Sequence, residues 1–128
     1  MTKAAHELEV ALRTVDGVPV ASVRGELDLD TMDRFERGLR PVREGEGPAV
    51  LDLEGVPFMD SSGLHVVVAL WRALRGEGRT LAVSCRPDGV RKLFELTALD
   101  GVLPLYDDAT AAVRAVGGGG RGVSAPAS

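Results

Sequence analysis

Residues 49 to 85 constrain the fold more than any other part of the chain. Two short apolar runs, Ala49-Val50-Leu51-Asp52-Leu53 and Leu81-Ala82-Val83-Ser84-Cys85, flank a segment in which Leu64, Val67, Val68, Trp71 and Leu74 recur at intervals of three and four. The runs read as mostly buried strands, and the segment between them lines one face of a helix. Gly76-Glu77-Gly78 supplies the helix stop, and Arg79-Thr80-Leu81 opens the second strand. Two strands joined by a helix make a βαβ unit, so the strands are predicted to be parallel with a right-handed crossover. Open α/β sheets place their functional loops at the carboxyl ends of parallel strands. The loop after Leu53 is therefore the place to look for function.

That loop delivers Phe58-Met59-Asp60-Ser61-Ser62-Gly63-Leu64, an apolar lead-in, a carboxylate, two hydroxyls and a glycine at the start of the helix. The first backbone N–H groups of a helix lack partners, and the macrodipole favours negative charge there. Two roles follow for these residues. Asp60, Ser61 and Ser62 are of the types that dominate helix caps, and by local chemistry alone capping is the commoner role. A phosphate carried by Ser61 is the other, since a helix start is a favourable site for an anion.

The remaining chain supplies a scaffold. Leu8, Val10 and Leu12 alternate with Glu9, Ala11 and Arg13, and Asp16-Gly17 is a tight-turn signal before Val18-Pro19-Val20-Ala21-Ser22-Val23, so an N-terminal β-hairpin is expected. Pro19 cannot donate to a ladder and belongs near a strand start or on an edge. Asp30 or Thr31 caps a helix whose stripe is Met32, Phe35 and Leu39, and Glu44 to Pro48 form a loop. Arg86-Pro87-Asp88-Gly89 turns into a helix from Val90 to about Thr97, and Asp100-Gly101 breaks to a short final strand, Val102 to Tyr106. Asp107 or Asp108 caps a last helix through Val116, and from Gly117 to Ser128 the composition collapses to small and polar residues, with too little apolar content to order. The fold class is thus α/β: one domain over residues 7–116 with a mixed β-sheet opened by the hairpin and helices packed against it. Residues 1–6 form an N-terminal extension, and 117–128 a disordered tail.

Composition excludes several functions. A chain of 128 residues supports one domain with a sizeable core. Its net charge of −4 and the absence of a basic cluster argue against nucleic-acid or anionic-membrane binding. No signal core and no run long enough to span a bilayer are present, which points to the cytoplasm. Metal ligands are not clustered, and the single cysteine, Cys85, reads as a small buried strand residue. Gly117-Gly118-Gly119-Gly120 lacks the strand before it and the Lys-Ser or Lys-Thr after it that a phosphate cradle needs, so no cofactor is expected. A catalytic triad on Ser61 would need an oriented histidine; His6 is remote, and His65 lies four residues along the same helix, poorly placed to act as base. Trp71 belongs by its spacing to the core stripe, with a partner interface as the alternative. The polar side of this helix, His65, Arg72 and Arg75, is the surface to test.

Met59-Asp60-Ser61-Ser62-Gly63-Leu64, together with the earlier Gly25-Glu26-Leu27-Asp28, resembles the anti-sigma factor antagonists, single-domain proteins of the STAS family. The resemblance covers roughly residues 7–116. It implies a single STAS domain that is not an enzyme and binds no cofactor or metal. It further implies that Ser61, the first hydroxyl after the motif aspartate, is phosphorylated by a partner kinase. The unphosphorylated form would bind an anti-sigma factor that is also a serine kinase, and a metal-dependent serine phosphatase would reset the switch. By the same resemblance the partner-binding surface takes in Asp28, Asp60, Ser62, Gly63 and His65. Without it, Asp28 is an ordinary solvated loop carboxylate. Many members of the family have glycine or another small residue where this chain has His65, a departure that bears on partner choice. Two other functions stand beside this one: a STAS scaffold subunit of a larger signalling assembly, and a small hydrolase with Ser61 as nucleophile.

Overall fold

Asp16 and Gly17 both adopt positive φ, 50° and 82°, as the centre of a tight hairpin turn whose twist matches its strands. The computed structural model describes residues 7–97, 99 and 102–118. The predicted extension 1–6, the Asp100-Gly101 break and residues 119–128 of the predicted tail lie outside the described residues. The turn joins β1 (Leu8–Val15) to β2 (Val18–Gly25), paired antiparallel in continuous register from Val15 opposite Val18 to Leu8 opposite Gly25. There follow α1 (Met32–Glu44), β3 (Ala49–Gly55), α2 (Ser61–Gly76), β4 (Leu81–Ser84), α3 (Val90–Leu96), β5 (Leu105–Tyr106) and α4 (Ala109–Val113). The five strands lie in the order β1-β2-β3-β4-β5, and every pair after the hairpin is parallel. The expected mixed sheet opened by a hairpin is the observed one.

Alternation along the strands divides the core between the two sheet faces. On one face, Ala21, Val23, Ala49, Leu51, Leu53, Leu81 and Val83 pack with Phe35 and Leu39 of α1, Val67, Leu70 and Leu74 of α2, and Phe94 of α3. On the other, Val18, Val20, Val50 and Ala82 pack with Ala112 and Val113 of α4. β3 and β4 are therefore covered on both sides, which explains their unbroken apolar runs. The buried stripe of α2 is Gly63, Val67, Leu70 and Leu74; the predicted Leu64, Val68 and Trp71 are only half-buried at its margins. One element is shorter than predicted and one longer. The final strand is confined to Leu105–Tyr106, because Leu103 is drawn into a turn by its N–H bonding the Leu99 carbonyl at 2.8 Å, and Pro104 has no N–H to donate. The last helix is α-helical to Val113 and continues as a π-helix over Arg114–Gly118, past the predicted end at Val116. Asp108 is its cap, accepting from the Ala111 N–H at 2.8 Å.

One side chain closes the end of α1. Arg79, read from the sequence only as a strand opener, extends from the α2–β4 turn and donates to the carbonyls of Val42 (2.9 Å), Arg43 (3.2 Å) and Gly47 (2.8 Å). The side chain is 6 % exposed and pairs with Glu77 at 3.3 Å. The Val42 carbonyl also accepts the Gly45 N–H at 3.3 Å, and Arg79 adds a cationic donor at the carboxyl end of α1, where it suits the macrodipole.

Candidate functional site

Asp60 sets the start of α2. Its backbone is extended, and its Oδ1 accepts the N–H groups of Ser62 at 2.9 Å and Gly63 at 3.3 Å, the arrangement expected of an N-cap. The Ser62 hydroxyl donates a short hydrogen bond to the same oxygen. That hydroxyl is the main reason the Asp60 carboxyl sits below the usual carboxylate range; the amides of Gly63 and Ser62 act in the same direction, and burial opposes them.

Asp60 and Ser62 are therefore occupied with each other and with the helix. Ser61 is not. It is exposed, and among the described residues its hydroxyl takes part in no hydrogen bond. The two adjacent serines, alike in sequence, differ in chemical availability.

The loop before α2 is held from below. The Leu27 N–H donates to the Phe58 carbonyl and the Asp60 N–H to the Leu27 carbonyl, both at 3.0 Å, forming a parallel bridge between Leu27 and Met59. This bridge sets the loop carrying Asp28 against the loop carrying Ser61. Gly63 is buried on the same pair: a Cβ there would lie 2.7 Å from Met59 Cγ and 3.0 Å from Leu27 Cβ. Only a residue without a side chain lets the helix start settle so closely. Leu27 and Met59 are thus the hidden floor of the site, and nothing in the sequence marks them as neighbours.

Asp28 is more than a solvated carboxylate. It accepts from the Asp30 N–H at 3.0 Å, while Thr31 Oγ1 accepts the Asp28 N–H at 3.1 Å, a reciprocal capping box around the short turn Leu29–Thr31. Thr31 is the N-cap residue of α1, as expected, but its side chain caps no N–H of that helix and bonds backwards to the Glu26 carbonyl at 2.9 Å, while the capping side chain of this segment is Asp28.

Beyond Ser61, the exposed side of α2 forms a groove of about 320 Å³ lined by Ser61, Leu64, His65, Val68, Ala69 and Arg72. Leu64, Val68 and Ala69 make it apolar, and His65 and Arg72 supply its polar side chains beside Ser61. His65 is exposed, one turn from Ser61, and makes no hydrogen bond to it among the described residues. Trp71 packs against the core while Arg75 lies over its ring at 5.3 Å, so the indole serves the core and offers only part of its surface. Among the described residues there is no group of three or more His, Cys, Asp or Glu arranged to hold a metal ion. Nor is any described helix long and apolar enough to cross a membrane.

The STAS domain family model matches residues 9–112. An anti-sigma-B factor antagonist of Staphylococcus aureus is 33% identical over 97 residues, covering 75% of this chain and 90% of that protein. An anti-sigma F factor antagonist of Paenibacillus polymyxa is 30% identical over 103 residues, covering 79% of this chain and 88% of that protein. Among solved structures, an anti-sigma factor antagonist from Mycobacterium paratuberculosis superposes with a TM-score of 0.79 at 32% identity, covering 86% of this chain and 94% of the other.

Proposed function

The chain belongs to the STAS domain family, and from that premise we propose that it is an anti-sigma factor antagonist whose binding is gated by phosphorylation of Ser61. With Ser61 unmodified, the face built from the Ser61 loop, the Asp28 loop and the α2 groove binds an anti-sigma factor that is also a serine kinase, releasing a sigma factor. Phosphorylation ends the binding, and a metal-dependent serine phosphatase restores it. The chain itself is substrate and ligand, not catalyst. The kinase supplies nucleotide, metal ion and catalytic base. The functions of the relatives in Staphylococcus and Paenibacillus support this reading.

The observation that carries it is the contrast between the two hydroxyls. Ser61 is exposed and unbonded beside a groove, whereas Ser62 is tied to Asp60. A phosphate would add about −1.5 to −2 charges next to a carboxylate that already holds the Ser62 and Gly63 amides. The new anion meets like charge at a helix start whose second and third donors are taken. An interface fitted to a neutral hydroxyl then has a dianion to desolvate, at a cost of several kcal/mol, where each 1.4 kcal/mol is about tenfold in affinity. No refolding of the domain is needed.

The test is to capture the kinase from lysate with the wild-type chain and then incubate it with ATP and the Ser61→Ala and Ser62→Ala variants. Ser61→Ala is expected to bind and stay unmodified, and Ser62→Ala to be phosphorylated. Phosphate mapped by mass spectrometry to Ser62, or modification of Ser61→Ala at the wild-type rate, would overturn the assignment.

A further inference from the structure

The sheet has two edges of very different kinds. β5 is two residues long, whereas β1 offers eight in regular register without a bulge or proline. Among the described residues no strand pairs with the outer side of β1, and a long open edge is a template for another strand. Because the turn at Asp16-Gly17 is a two-residue hairpin, Val15 and Val18 form its closing hydrogen-bonded pair. Bonded and non-bonded pairs alternate along an antiparallel ladder. Glu9, Ala11 and Arg13 therefore direct their backbone groups at β2, and Leu8, Val10, Leu12 and Thr14 direct theirs outward.

We propose that β1 is a self-pairing edge: two copies of the chain join β1 to β1 antiparallel about Ala11, merging their two five-stranded sheets into one. Three observations select this partner and this register. Glu9 and Arg13 carry opposite charges at equal distances on either side of Ala11, so each Glu9 faces the Arg13 of the other copy, whose half-exposed guanidinium also reaches Ser22 at 3.3 Å and Asp52 at 3.7 Å within its own sheet. Charges that would repel most strands fit this one. Val10 and Leu12 fall opposite each other on the other sheet face, and Leu12, 47% exposed in the single chain, gains an apolar neighbour. Finally, the pairs required by this register, Val10 with Leu12 and Leu8 with Thr14, join residues whose backbone groups point outward. Centring the ladder on Leu12 leaves Glu9 opposite Val15 and Arg13 opposite Ala11. Centring it on Val10 sets Glu9 against Ala11 and shortens the overlap within the strand. Since β3 runs antiparallel to β1, the two Ser61 loops point to opposite ends of the joined sheet, and each stays open to a partner.

The experiment uses the full unphosphorylated chain with Ala11→Cys. The Cα atoms of the two substituted positions would form a non-hydrogen-bonded antiparallel pair, roughly 4.5 Å apart and within disulfide range. Cys85 is fully buried and does not compete. Mild oxidation is expected to give a disulfide dimer with Ala11→Cys and much less with Leu12→Cys. In parallel, sedimentation equilibrium over a concentration series is expected to show reversible dimerisation. Glu9→Arg should weaken it about tenfold by setting like charges opposite each other twice. Leu12→Pro, which removes only an outward N–H, should abolish it while the circular dichroism spectrum of the fold is retained. A chain that stays monomeric through the series, or that cross-links equally at residues 11 and 12, overturns the proposal.

Discussion

At the scale of single residues, the site rests on a carboxylate that must stay ionised. Asp60 titrates below the usual carboxylate range because the ionised form accepts the Ser62 hydroxyl and two helix-start amides. A folded-state pKa lower than the unfolded one stabilises the fold at pH values above the unfolded pKa, and that stabilisation is lost as pH falls through the folded pKa. Asp60→Ala is therefore expected to cost about 1 kcal/mol at neutral pH, and the gap between variant and wild type, followed by urea denaturation, should close as the solution is acidified. Cys85 behaves in the opposite sense. Burial pushes its thiol up to about 11, with the nearby Arg91 partly offsetting the shift. The thiolate is disfavoured in the folded chain, so a thiol-reactive dye should label Cys85 only after unfolding. Rapid labelling of the native protein would show that β4 opens readily.

At the scale of elements, Arg79 is the joint between two βα units. Its guanidinium meets the carbonyls of Val42, Arg43 and Gly47 from 32 to 37 residues away in sequence. Those carbonyls close α1 and the loop into β3, the strand that leads to Ser61. Removing a nearly buried charged donor leaves the Val42 carbonyl with only the Gly45 N–H at 3.3 Å and takes a donor from those of Arg43 and Gly47, so Arg79→Ala is expected to lower stability by about 1.5–3 kcal/mol. Arg79→Lys should recover little, because an ammonium cannot reproduce the planar fork. The change in urea midpoint for the two variants decides between loss of charge and loss of geometry; equal stability of Lys and wild type would contradict this account.

At the scale of the whole molecule, the second sheet face is closed by a polar seam as well as by α4. Asp52 accepts the hydroxyls of Ser22 at 3.0 Å and Ser84 at 3.2 Å, with Arg13 at 3.7 Å, so one carboxylate ties β2, β3 and β4 together and reaches β1. Two residues on, Glu54 accepts the Ala109 N–H at 2.8 Å and anchors the start of α4. Burial raises the Glu54 pKa, the Asp52 and Asp108 charges add to it, and the Ala109 N–H opposes them. A raised folded-state pKa gives stability that is full below the unfolded value and declines as pH rises through the folded one. Glu54→Gln keeps an acceptor for Ala109 and removes the titration. Its stability relative to wild type should therefore improve from acidic toward neutral pH. A difference independent of pH would mean that Glu54 titrates as an ordinary surface carboxylate.

How much of this was legible depends on the range of the interaction concerned. Hairpin, strand–helix–strand order and the Asp60 cap were readable from the chain alone, because turn chemistry, hydrophobic period and capping act between residues within about four positions of each other. The Asp28 capping box is equally local, but its Asp-x-x-Thr form departs from the usual Ser/Thr-x-x-Glu signature, and Asp30 and Thr31 stand nearer the helix. Long-range facts were beyond such reasoning. Packing alone brings Leu27 to Met59, Arg79 to the end of α1 and two serines from separate strands to Asp52. The central distinction of the site spans only two residues, yet it too needed the structure. Local chemistry left Ser61 and Ser62 alike at the helix start, and only the family resemblance singled out Ser61; the folded structure decided that Ser62 bonds Asp60 while Ser61 faces solvent, because a helix turns each successive residue by about 100°.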